Sequence, residues 1–213
     1  LLIGGLKAQQ IVAVLNPMEP PKAAAVLRRL PLKQTSYVLA RLDVPQAAKL
    51  WKEFSAPSQE RLSAVLEPAF VALLKEANGF AAQSVGRFMQ TEFVAVPTET
   101  KIGELVERLK NIPRKKLPTL CFVTTKGGVL KGAIRTAELV FFGQTVVCGS
   151  VMAPISSVQP QEALVHAQAL FTKEEVSCLP VVDTAGILLG VLTKEKALAG
   201  GGTSKTWWQK LTT

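Results

Sequence analysis

The stretch Cys178-Leu179-Pro180-Val181-Val182-Asp183-Thr184-Ala185-Gly186-Ile187-Leu188-Leu189-Gly190-Val191-Leu192-Thr193 decides the fold. Residues 178–182 and 187–193 are short apolar runs of strand length. Asp183-Thr184-Ala185-Gly186 between them reads as a turn, because Asp bonds its own backbone and Gly tolerates the reversal. Upstream, residues 161–172 are predicted to form an amphipathic helix with Leu164, Ala167 and Phe171 on one face. The unit is therefore helix, strand, turn, strand, and a last helix after Thr193.

The same unit occurs once before. Gly86-Arg87-Phe88-Met89 answers Gly149-Ser150-Val151-Met152 at an offset of 63, and Pro97 answers Pro160 at the same offset. Leu120-Cys121-Phe122-Val123 answers Leu179-Pro180-Val181-Val182 at 59, and Gly132-Ala133-Ile134 answers Gly190-Val191-Leu192 at 58. Matches in constant order with a slowly shrinking offset mark a duplication. The extra residues of the first copy fall mostly at 113–118. The copies span 84–142 and 146–199.

The first eighty residues follow another period. Leu30, Leu42, Phe54 and Leu66 recur every twelve residues, and Leu27, Leu39, Trp51 and Ser63 stand three positions before them. Each pair marks an apolar stripe on a short helix. Pro20-Pro21, Pro31, Pro45 and Pro57 punctuate the repeats, and proline suits the first turn of a helix. Ser58, before Gln59-Glu60, reads as the start of one such helix, and the last one ends at Asn78-Gly79. Helices of about ten residues are not stable alone in water, so these are expected to stack on one another. The predicted fold class is α+β: an all-α superhelical repeat domain over 1–80, then the tandem α/β pair with short sheets. Residues 200–213 form a Gly-rich tail.

Composition narrows the function. The 213 residues carry 25 Lys and Arg against 16 Asp and Glu, a formal charge of +9. Residues 1–83 hold ten bases and six acids, and residues 84–199 hold thirteen and ten. The excess is spread thinly, and the densest run, Arg114-Lys115-Lys116, has no aromatic residue interleaved. Nucleic acid is not an expected partner, because single-strand binders set stacking platforms beside a basic groove. No apolar run approaches the roughly 18 residues of a membrane span, and the chain reads as soluble. It opens on Leu1-Leu2-Ile3 without Met, from which a preceding segment is expected. Cys121, Cys148 and Cys178 form no CxxC pair and read as buried structural thiols in a reducing compartment.

The duplicated pattern resembles a pair of CBS domains. The residues that carry the likeness are Ser150-Val151-Met152, Leu179-Pro180-Val181-Val182-Asp183 and Gly190-Val191-Leu192-Thr193. Helical repeats feeding into Val85-Gly86-Arg87-Phe88-Met89-Gln90 extend the resemblance to the cytosolic part of MgtE-type magnesium transporters, over residues 1 to about 199. The resemblance implies a regulatory role at the inner face of the membrane. It also implies a homodimer built through the CBS pair, and either a membrane transport domain or a protein partner. In that family Mg²⁺ is bound between acidic faces of the two domains. Here Asp43 and Asp183 are the only aspartates, and Pro21-Lys22 stand where the family has paired acids. Mg²⁺ needs oxygen ligands, chiefly carboxylates, so binding in the family's manner is not expected and no metal ligands are named.

CBS pairs also bind adenine nucleotides, AMP or ATP, in the cleft between copies. By resemblance, a Ser or Thr opens the last helix and an Asp three residues on holds the ribose. The second copy has Thr193 and then Lys196; the first has Arg135 and then Glu138. Glu138 can accept from a ribose hydroxyl, whereas the Lys196 ammonium has no acceptor. Arg135 and Lys196 suit a phosphate instead. The plainer alternative is that all are solvated charges at helix starts. Backbone at Val158 and around Leu179-Pro180 would cradle the base, again by resemblance.

No catalytic constellation can be assembled. His166 is the single histidine, and nothing pairs with it in a nucleophile–base set. The chain is expected to be no enzyme. A second reading is a CBS-based adaptor that has lost metal and nucleotide binding and uses its helical repeats to hold protein. Trp207-Trp208 beside Lys210 suits a membrane interface, a dimer contact or docking back on the domain.

Overall fold

The computed structural model describes residues 8–15 and 17–200; the 201–213 segment, with its two tryptophans, lies outside the described residues. Six helices come first: α1 (Ala8–Leu15), α2 (Pro20–Leu27), α3 (Leu32–Leu39), α4 (Val44–Glu53), α5 (Ala56–Ser63) and α6 (Pro68–Glu76). Every one of them starts twelve residues after its predecessor. Proline occupies one of the first two positions of α2, α4, α5 and α6, where its missing N–H has no helical partner to lose. For that reason α5 begins at Ala56, not at Ser58: Pro57 sits in the first turn, and the Ser58 hydroxyl meets Ser55 Oγ at 3.1 Å.

Alternate helices touch, α1 on α3, α2 on α4, α3 on α5 and α4 on α6. Helices of eight to ten residues gain their stability this way, by burying a stripe against neighbours. Leu27, Val38, Leu39, Ala47 and Leu50 are fully buried in the pile. This is the superhelical stack that the twelve-residue period predicts.

The remaining elements are β1 (Ala95–Pro97), α7 (Ile102–Lys110), β2 (Leu120–Thr124), β3 (Leu130–Arg135), α8 (Cys148–Val151), α9 (Leu164–Glu174), β4 (Cys178–Val182), β5 (Leu188–Thr193) and α10 (Lys194–Gly200). In the first copy β2 lies between parallel β1 and antiparallel β3. In the second, β4 pairs with antiparallel β5, and Val158 bridges Val181 in the place that β1 holds in the first. Both hairpins slip register at the same point, Val123/Thr124 and Val181/Val182. A 3-10 turn, Thr136–Phe141, stands where the second copy has α10.

The two copies are interlocked. The Val85 and Gly86 amides, in the opening turn of the first copy, donate to the Glu162 and Pro160 carbonyls of the second. The Cys148 and Gly149 amides, opening the second, donate to the Thr100 and Thr98 carbonyls of the first. The hairpin turns are joined reciprocally, Leu130 to the Gly186 carbonyl at 2.9 Å and Leu188 to the Gly128 carbonyl at 3.0 Å. Because Pro160 and Glu162 serve the neighbouring copy, α9 starts at Leu164, three residues later than the apolar pattern predicts.

One continuous apolar core runs from Ile11 and Leu15 through the helical stack and Phe80, Val85 and Met89. It then enters the second copy at Leu164, Phe171, Leu179 and Leu192. The first copy has its own core around Val96, Leu105, Cys121 and Ile134, and a third cluster, with Phe122 and Val191, fills the space between copies. The helical half is thus welded to the copy that is farther away in sequence.

Candidate functional site

Thr193 ends β5 and caps α10, its hydroxyl accepting from the Lys196 amide at 3.4 Å. In the first copy Arg135 ends β3 at the equivalent position. The residue after each of these, Lys194 and Thr136, donates its amide to a carbonyl just before the first strand of the hairpin, Ser177 and Thr119 respectively. The hydroxyls of Thr119 and Ser177 meet at 2.8 Å. That bridge places Arg135 and Thr193 on either side of one local pseudo-two-fold. Thr119 and Ser177 were not singled out from the sequence; two hydroxyl residues at an offset of 58 were the available signal.

The charged candidates are already engaged. Arg135 Nη1 lies 3.8 Å from Glu138 Oε1, one helical turn away, and both side chains are largely solvated. Lys196 is tied to the helical half. Its Nζ sits 2.8 Å from Asp43 Oδ1, at the start of α4 in the helical half, 153 residues distant. Val158 and Leu179 are fully buried side chains of the shared core. Their backbones serve the sheet: the Val158 amide donates to Pro180, and its carbonyl accepts from Val182. Arg135 with Glu138 and Thr193 with Lys196 are therefore two separate, equivalent stations and not one cluster.

More polar ties cross from the helical half. Thr91 Oγ1 donates to the Ala40 carbonyl at 2.7 Å, and Gln161 Nε2 to Glu76 Oε2 at 3.3 Å. Burial lifts the Cys121 and Cys148 thiols above their ordinary pKa, and desolvation does the same to Cys178. All three are free, and a thiol kept protonated is a poor nucleophile and metal ligand. His166 lies on the exposed flank of α9 against Glu162. Among the described residues no group of three or more His, Cys, Asp or Glu side chains comes together, and no helix is long and apolar enough to cross a membrane.

The second copy of the interlocked duplication, residues 148–199, matches a family model for the CBS domain. The chain is similar to the magnesium transporter MgtE of Thermus thermophilus, 24% identical over an alignment of 210 positions that covers 91% of this chain and 47% of that protein. It spans about half of that relative's length. Among solved structures, the cytosolic domain of the Mg²⁺ channel MgtE in complex with ATP aligns with a TM-score of 0.58 and 23% identity, covering 91% of this chain and 85% of that one. The soluble part of a magnesium transporter aligns with the same score at 16% identity, covering 91% and 82%. The helical stack followed by a CBS pair is thus the fold of an MgtE cytosolic region.

Proposed function

We propose that this chain is a non-catalytic regulatory module of an MgtE-like magnesium transporter, acting at the cytoplasmic face of the membrane, whose CBS pair responds to an adenine nucleotide. The observation that carries the reading is the continuous core from α1 to the second CBS copy. Through it, a ligand that alters the packing of the CBS pair alters the helical half as well. A ligand that shifts such an equilibrium needs only different affinities for the two arrangements. The ATP complex of the similar cytosolic domain supports a nucleotide as that ligand. The surviving station is Glu138 with Arg135, since a carboxylate can accept from a ribose while Lys196 is held by Asp43. Val140 and Phe141, 80% and 82% exposed beside that station, support a homodimer through the CBS pair. An apolar pair so exposed gains by burial against a second copy.

The test is thermal unfolding at constant ionic strength with AMP, ATP and MgCl₂. A ligand bound only by the native state raises Tm with its concentration over Kd. A nucleotide-dependent rise that Glu138→Ala reduces supports the sensor. A rise with MgCl₂ alone would restore metal sensing in the family's manner. No rise with any of them favours the second reading, an adaptor whose ligand stations have closed. One observation favours that reading: Arg135–Glu138 and Lys196–Asp43 both satisfy their charges within the protein.

A further inference from the structure

A groove of about 1020 Å³ opens between the helical half and the hairpin turns of the CBS pair, away from Arg135, Glu138, Thr193 and Lys196. One wall is the stripe Lys33, Tyr37 and Arg41, spaced four residues apart along and just past α3. The opposite wall is the β2–β3 turn with Lys126. Three cations thus line it against one acid, Glu67. Neither Lys33 nor Lys126 forms an ion pair among the described residues.

Arg41 is the anchor of this site. Its guanidinium lies 3.3 Å from the centroid of the Tyr37 ring, and Nη1 donates to the Tyr37 carbonyl at 3.4 Å. Its Nε is buried without a hydrogen-bond partner; Glu92 Oε1, 4.0 Å away, forms an ion pair with it but lies beyond hydrogen-bond distance. A buried donor left unpaired is rare and costs free energy that an acceptor would recover. It is the only buried side-chain polar atom left so among the described residues. Guanidinium and ammonium groups together recognise phosphate oxygens. Phe70 and Phe93 add apolar surface between the walls, and Lys33 and Arg41 are separated by about 12 Å along the helix, at 1.5 Å per residue. Clefts of about 300–1,000 Å³ are the usual size for drug-sized ligands.

We propose that this groove binds a phosphate-bearing ring compound of nucleotide size, its phosphates held by Arg41, Lys33 and Lys126 and its ring against the aromatic surface. The proposal is independent of the CBS stations. A ligand seated there spans α3 and the β2–β3 turn, and so fastens the helical half to the CBS pair.

The experiment is calorimetric titration of the full chain with ATP and with inorganic pyrophosphate at fixed ionic strength. ATP is expected to bind, and pyrophosphate to bind more weakly to the same groups. Lys33→Glu and Lys126→Glu, both at exposed positions, are each expected to weaken ATP binding tenfold or more. Glu67→Gln is expected to tighten it, and Lys173→Glu, the same charge change in the last turn of α9 and outside the groove, to leave it unaltered. Glu138→Ala is expected to remove only a binding event at the CBS cleft and to leave the groove's own event in place. The proposal is overturned if ATP gives no binding at millimolar concentration, or if Lys173→Glu weakens binding as much as Lys126→Glu does. It is also overturned if binding is lost in Glu138→Ala and kept in Lys33→Glu and Lys126→Glu. That last pattern would uphold the CBS-cleft reading, so the two fail separately.

Discussion

Glycine at 132 and at 190 is demanded by the interlocking of the copies. A Cβ built on Gly190 would stand 2.5 Å from the Gln90 carbonyl oxygen, and one on Gly132 would stand 2.5 Å from that of Ala153. Both obstacles are backbone and cannot swing aside. Gly190→Ala and Gly132→Ala are each expected to destabilise by ~1–3 kcal/mol, the usual cost of overpacking a tight site, read as a loss in chemical denaturation midpoint. The Lys196–Asp43 pair behaves differently. It is partly solvated, so removing it with Asp43→Ala should cost no more than ~1 kcal/mol at low salt and less at high salt. A double-mutant cycle with Lys196→Ala measures it directly. The cysteines set an alkaline limit. Their thiol pKa values are raised by burial in the folded protein. The neutral form therefore stabilises the fold fully below the unfolded thiol's pKa, and that contribution fades as pH rises through the folded values. Urea midpoints that stay flat with rising pH beyond the ordinary thiol range would refute it.

At the scale of elements, the helical stack depends on phase. Six helices starting at a fixed twelve-residue interval present the same face in each repeat. One inserted alanine within α4 turns its second half by about 100°, from 3.6 residues per turn, and takes Leu50 and Trp51 out of the core they fill. Loss of cooperative unfolding in the helical half is the expected result. Leu50→Ala alone should cost ~2–5 kcal/mol as a cavity in a close-packed site. By contrast, two glycines added at 115 should change Tm little. That segment is exposed and lies where the first copy already carries extra residues, and lengthening a loop costs little entropy. The apolar periods made both the stack and the strands legible, whereas the true start of α9 was hidden. Helix 161–172 reads as continuous by pattern, and the demand of Val85 and Gly86 for the carbonyls of 162 and 160 delays its start to Leu164.

For the whole molecule, the decisive feature is that the helical half shares its core with the second CBS copy. A chain shortened to residues 84–200 would expose Val85, Met89, Leu164 and their neighbours to water. It is expected to melt at lower temperature than the parent and to bind a hydrophobic dye, while a dye-silent, equally stable fragment would refute the shared core. Sequence by itself determined the two periods, twelve residues and then a duplication near sixty, and with them the order helical stack then CBS pair. Both are properties of where apolar side chains recur along the chain, and burial follows from them. Position in space was another matter. Lys196 reads as a candidate for phosphate because its neighbours in sequence are those of a ligand station, yet its partner is Asp43, 153 residues away. Arg41 and Lys126, on different domains, come to line one groove for the same reason. Such long-range pairings depend on how packed elements are set against one another. No local period records that, so only the tertiary structure could decide which charges are already satisfied and which still await a partner.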